Sequence, residues 1–164
     1  MQPNFGVENY PFLINEVCFA VRKAIRRKWP IVVVEFVNYG DTIPQIRELL
    51  IPYSKHVTCV KQEEDGSNQI LYHCSERNWP YDFLVCGVYT AHCVLSTAKG
   101  LAQDIGVRRA EMLWRACHGS LNITATEFVF QYFKTLTFAE KLSVLDGPKR
   151  IKYHEQKTEN GSLC

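Results

Sequence analysis

The sequence has no Cys-x-x-Cys pair, no glycine-rich loop of the G-x-G-x-x-G type, and no apolar run long enough to cross a bilayer. The first absence argues against a zinc ribbon, which needs closely spaced thiolates. The second places a nucleotide-binding α/β domain last among the readings. The third, with no apolar leader in the first residues, argues against a membrane span or a signal peptide. Charge of one sign is also scarce. There are 19 basic and 17 acidic residues, a net charge of +2. That is too little to point to nucleic acid or an anionic membrane. The basic stretch Arg22-Lys-Ala-Ile-Arg-Arg-Lys28 reads as the solvated face of a helix. No internal repeat is present.

Against those absences stands an ample apolar fraction. Hydrophobic residues are 46% and charged residues 22% of the chain, which favours a packed core over global disorder. A length of 164 residues suits one domain. Residues 1–148 are read as that domain and residues 149–164 as a loose polar tail. The seven cysteines are odd in number and irregular in spacing. Cys18, Cys59, Cys86 and Cys117 lie in apolar runs, where thiols act as small hydrophobes. A reducing, cytoplasmic setting is expected. Asn122-Ile-Thr124 and Asn160-Gly-Ser162 match the glycosylation triplet by chance on that reading.

Strand and helix patterns alternate. Residues Tyr10 to Lys28 predict a helix with Leu13, Val17, Val21 and Ile25 on one face, ended by Pro30. Ile31-Val-Val-Val-Glu-Phe36 predicts a strand covered on both faces. Thr42-Ile-Pro-Gln45 matches a capping box ahead of a short helix carrying Ile46, Leu49 and Leu50. His56 to Val60 predicts a strand ending at Lys61, followed by a polar turn and a short helix over Ser67 to Arg77. Asp82 to Val88 predicts a buried strand. Ala91 to Ile105 predicts a helix stopped by Gly106, and Val107 to Trp114 a further strand. Thr124 to Thr135 predicts a last helix. This order implies a three-layer α/β/α fold, Rossmann-like, with a mostly parallel sheet. Ligands in such sheets bind beyond the carboxyl ends of the strands. Lys61 and Cys93 both fall there.

With Thr90 as N-cap, Cys93 sits in a first helical turn, among amides that lack intrahelical partners. Those amides and the helix dipole favour a thiolate, and they can hold the oxyanion formed when it attacks a carbonyl. The bland alternative is a small buried residue packing helix on strand, and spacing alone leaves both open. Lys61 is either a lysine extending out of a sheet edge or a cation that keeps a neighbouring anion ionised. His92 precedes Cys93, but adjacent helical side chains diverge, so a pocket or structural role is expected rather than a base.

Gly87-Val-Tyr-Thr-Ala-His-Cys-Val94, followed by Ser96-Thr-Ala98, resembles the nucleophile motif of the isochorismatase-like cysteine hydrolases, which include nicotinamidase-related amidohydrolases. The likeness runs over nearly the whole chain. Met1-Gln-Pro-Asn-Phe5 resembles the tail of the family's opening motif, an apolar strand ending in Asp-x-Gln. Trp29 to Val34 resembles its second strand, and the third ends at Lys61 where a catalytic lysine is expected. The resemblance implies a Cys-Asp-Lys triad cleaving a small amide-like substrate through an acyl-enzyme. It also implies a cis peptide at Val88–Tyr89 and an oxyanion hole from the amides of Tyr89 and Cys93. Phe5, Tyr39 and Tyr89 are expected to line the pocket, with His92 near it. The family's dimers and tetramers make a homo-oligomer an expectation.

The departures are specific. The family's aspartate would stand immediately before Met1, and the central first strand that carries it would precede it. Both are missing from the sequence, so Met1 is expected to be an internal methionine. Glu8 and Glu35 are the nearest acids that might replace the aspartate. Ala91 and Arg115 stand where acidic residues are frequent. The ligand set of the metal-dependent nicotinamidases is not found: Asp41 lacks the following histidine pattern, and His56 and His73 are badly spaced. No metal or cofactor is expected, and nicotinamide is disfavoured as substrate. The alternative to a hydrolase is a catalytically inactive relative that binds a small molecule or a protein partner.

Overall fold

The basic, apolar-striped segment near the start folds as helix α1, Pro11–Arg26, with Pro11 in the first turn where its missing amide does no harm. Leu13, Val17 and Cys18 form its buried face. The helix closes before Pro30. Lys28 takes a left-handed φ of 56°, and the Trp29 amide returns to the Ala24 carbonyl at 2.9 Å. The structure, a computed structural model, describes residues 1–118 and two later strands. Its remaining elements are β1 Ile31–Phe36, α2 Pro44–Leu50, β2 His56–Lys61, α3 Ser67–Glu76 and β3 Asp82–Val88. Then follow one π-helical turn Thr90–Val94, α4 Leu95–Gln103, β4 Arg109–His118, β5 Leu142–Asp146 and β6 Lys149–Ile151.

The strands form two sheets. β1 pairs in parallel with β2, from Ile31 opposite His56 to Phe36 opposite Lys61. β3, β4 and β5 pair in parallel, and β6 returns antiparallel to β5. The two sheets lie side by side between the same helices. Ile31 and Val33 of β1 meet Cys86 and Val88 of β3 in the core under α1 and α2. Val32 and Val34 meet Phe83 and Val85 in the core under α3 and α4. Yet among the described residues no ladder joins β1 to β3. A cleft therefore runs between two facing strand edges, inside a three-layer α/β/α body.

Several expectations need correction. The β1 run was expected to be covered on both faces, but all six of its residues are only half-buried, because one flank is the cleft. Thr42 does not cap α2. Pro44 fits the first helical position, Ile43 becomes the N-cap, and the buried Thr42 hydroxyl finds no hydrogen-bond partner among the described residues. The Thr42 amide instead donates to Glu35 Oε1 at 2.6 Å. Gly106 does not stop α4. Asp104 turns extended at the helix end, and its Oδ1 accepts the Gly106 amide at 2.7 Å. β4 runs on to His118, past the expected end at Trp114, because β3 offers partners as far as Val88. Lys149–Ile151, expected to open a loose tail, pairs antiparallel with residues of Leu142–Asp146. The helix expected over Thr124 to Thr135 lies outside the described residues.

Candidate active site

β2 delivers Lys61 to the carboxyl rim of its sheet. The residue is 5% exposed. Its ammonium donates to the Glu64 carbonyl and lies 5.9 Å from the centre of the Phe36 ring. Among the described residues no carboxylate comes within 4.0 Å of it. Charged groups this deeply buried are normally paired, so the position favours an anion beside it.

β3 delivers Cys93 to the same rim by an irregular route. The β3–β4 register slips between Val85 and Gly87, and Gly87 adopts a φ of 140° that side chains avoid. The chain then enters the π turn. Tyr89, not Thr90, is the residue that precedes this turn, so Cys93 lies one position deeper than expected. The Tyr89 carbonyl accepts the amides of His92 and Val94, each at 3.2 Å, and passes over that of Cys93. An amide in a wide turn beside a thiol can supply one donor of an oxyanion hole. No peptide bond among the described residues is cis, so the cis bond expected at Val88–Tyr89 is not found. The trans form is intrinsically favoured by about 3 kcal/mol, and with the cleft open beside β3 nothing forces the alternative.

One buried point ties the two strands' contributions together. The amino group of Met1 is desolvated, which lowers its pKa, and it interacts electrostatically with Cys86, Glu35, Cys93 and Lys61. These four groups therefore lie within electrostatic reach of one buried point. Burial, chiefly, pushes the Cys86 and Cys59 thiols up to about 11, so both are neutral at ordinary pH. Glu35 spends one carboxylate oxygen on Thr42, and Glu8 is exposed on a 3-10 turn, Val7–Asn9.

Aromatic rings complete the mouth. Phe5 stacks on Tyr39 with centroids 4.3 Å apart and meets Tyr89 edge-on at 5.1 Å. Phe36 meets Tyr39 at 5.3 Å. Gln2 braces the end of β1. Its Nε2 donates to the carbonyls of Phe36, at 2.8 Å, and Gly40, and its Oε1 accepts the Phe36 amide at 2.7 Å. His92 is half exposed, with Nδ1 3.1 Å from Glu64 Oε1.

The structure thus brings Cys93, Lys61, Tyr89, Phe5 and Tyr39 to one rim, with His92 at its side. Sequence reasoning missed Phe36, Glu64 and the brace made by Gln2. Gln2 stood in the opening motif and could have been found there. Glu64 sat in a run of acids that read only as a polar turn. Among the described residues no three His, Cys, Asp or Glu side chains converge as a metal-binding group.

Known proteins place this arrangement on a familiar scaffold. No family profile and no curated protein matches the chain. The nicotinamidase SaPncA from Staphylococcus aureus superposes with a TM-score of 0.63 at 14% identity, over 78% of this chain and 82% of that one. The nicotinamidase/pyrazinamidase PncA from Bacillus subtilis does so with a TM-score of 0.63 at 14% identity, over 80% and 84%. The chain shares the mixed α/β fold of those isochorismatase-like hydrolases, parallel sheets included.

Proposed function

We propose that this chain is a cysteine hydrolase acting on a small amide-like substrate. The observation that carries this reading is Cys93 in a π turn at the rim that holds the buried Lys61, with Glu64 bonded both to Lys61 and to His92 beside Cys93. The Cys93 thiolate attacks the substrate carbonyl, forming an S–C bond and an oxyanion. The amides of Cys93 and Tyr89 hold that oxyanion. Its collapse breaks the C–N bond, and the amine leaves with the proton taken from the thiol. Water then attacks the thioester, and the acid and the free thiol are released. Lys61 holds charge balance at the mouth. The rings of Phe5, Tyr39 and Tyr89 favour a flat or apolar acyl group.

The base of this reaction is a carboxylate beside the Lys61 ammonium, whose charge favours an anion there. Among the described residues none comes within 4.0 Å of that ammonium. The site is read as intracellular and metal-free.

The test is release of amine from a panel of aromatic and aliphatic primary amides. Turnover is expected, lost in Cys93→Ala; no release from any member would overturn the hydrolase reading. That no carboxylate among the described residues lies within 4.0 Å of Lys61 favours a second reading, a silent relative that binds a small molecule or a partner. Iodoacetamide separates the two: a Cys93 labelled no faster than an ordinary exposed thiol supports the silent protein.

A further inference from the structure

The loop between β2 and α3 links the two halves of the candidate site, and Glu64 makes most of its contacts. The Glu64 carbonyl accepts the Lys61 ammonium, and the Thr97 hydroxyl lies 3.5 Å from the same carbonyl. Its carboxylate reaches the opposite way, to His92 Nδ1 at 3.1 Å and Ser96 Oγ at 3.5 Å. His92 immediately precedes Cys93, and Thr97 lies one helical turn beyond it. The Gly66 amide reinforces the seam by donating to Thr97 Oγ1 at 2.9 Å. The stem of Lys61 runs past Gly66, where an added Cβ would stand 3.3 Å from Lys61 Cδ and 3.4 Å from Thr97 Oγ1.

This seam matters because of the cleft. No ladder bonds join β1 to β3 among the described residues, so the sheets themselves do not fix Lys61 relative to Cys93. Glu64 touches the lysine with its main chain and the π turn and α4 with its side chain. We infer that Glu64 is the positioning residue that sets Lys61 against Cys93. The inference rests on the hydrolase reading above and adds to it the part that aligns the pair. Glu64 does not touch the reacting atoms. It acts by holding the loop whose carbonyl carries the ammonium.

His92 and Glu64 have half-exposed side chains, at 49% and 55%, so their contact adds little to global stability and variants at Glu64 fold. The experiment follows the rate of iodoacetamide labelling at Cys93, read by peptide mass spectrometry at neutral pH, with melting temperature as control. Lys61→Met slows labelling by about tenfold, through loss of the positive charge held at the rim beside the attacking sulfur. Glu64→Ala slows it by roughly threefold or more at unchanged melting temperature, through misplacement of that cation. Glu64→Gln, which keeps an acceptor for His92 and Ser96, restores most of the rate. Glu64→Ala has no further effect in the Lys61→Met background. A slow Lys61→Met with an unaltered Glu64→Ala overturns the positioning role and leaves the hydrolase reading standing. A Lys61→Met that labels like the parent overturns both.

Discussion

Lys61 is where stability and reactivity pull apart most plainly. A buried ammonium held by one carbonyl and lying over the Phe36 ring is less well solvated than it would be in water. Methionine has similar length and no charge to desolvate. Lys61→Met is therefore expected to stabilise the fold by about 1 kcal/mol or more in urea unfolding, while abolishing amide turnover. The buried thiols set a second residue-level expectation. The folded-state values of Cys59 and Cys86 rise from an ordinary 9.0 to about 11, and that of Cys117 rises further still. Over that window the fold binds more protons than the unfolded chain. The stabilising contribution is thus whole below pH 9.0 and is lost as the pH climbs through about 11. Thermal unfolding followed from pH 8 upward should show this decline, and Cys86→Ala should make it shallower.

At the scale of elements, α3 and α4 touch so closely that one glycine decides the fit. A Cβ at Gly100 would collide with the Ser67 and Asp65 side chains, with Ser67 Cβ only 2.8 Å away. Alanine would force α4 off α3 and lift the core residues Ala98, Leu101 and Ala102 with it. Gly100→Ala is expected to destabilise by about 1–3 kcal/mol, against the usual gain from alanine in a helix. Urea unfolding gives the sign directly. Elements of this kind were largely legible in the sequence. α1, β1, β2, α3 and β3 lie where apolar period, proline and glycine placed them, since those signals are local. The rim of Lys61 and Cys93 was legible too, because strand ends can be read from the same signals. The π turn was not: a helix with one inserted residue keeps its apolar spacing too nearly intact to betray it. Thr42 misled because Pro44 competes for the first helical position. Glu64 was invisible, since its partners lie far along the chain, and long-range side-chain contacts leave no local pattern.

For the whole molecule, the division of the sheet governs dynamics. In a parallel ladder, alternate amides of a strand point to opposite neighbours. In β1, the amides that bond to β2 should exchange slowly. Those that point into the cleft should exchange orders of magnitude faster. The same alternation is expected in β3 on its side away from β4. Residue-resolved amide exchange by NMR checks this, and uniform protection along β1 would mean that the cleft is closed in solution. No helix among the described residues is long and apolar enough to cross a membrane.

To a polymer chemist, a body split along its sheet resembles a monomer with unsaturated ends. Each half offers a row of donors and acceptors that another molecule's strand satisfies as well as its own would. A head-to-tail contact of that sort does not close on itself, and it lengthens with every addition. Growth of this type has a threshold concentration. Below it the chain is expected to refold as single molecules and above it to be lost to strings of strands, which light scattering over a dilution series checks. Dilution, more than time or temperature, then decides how much native protein is recovered.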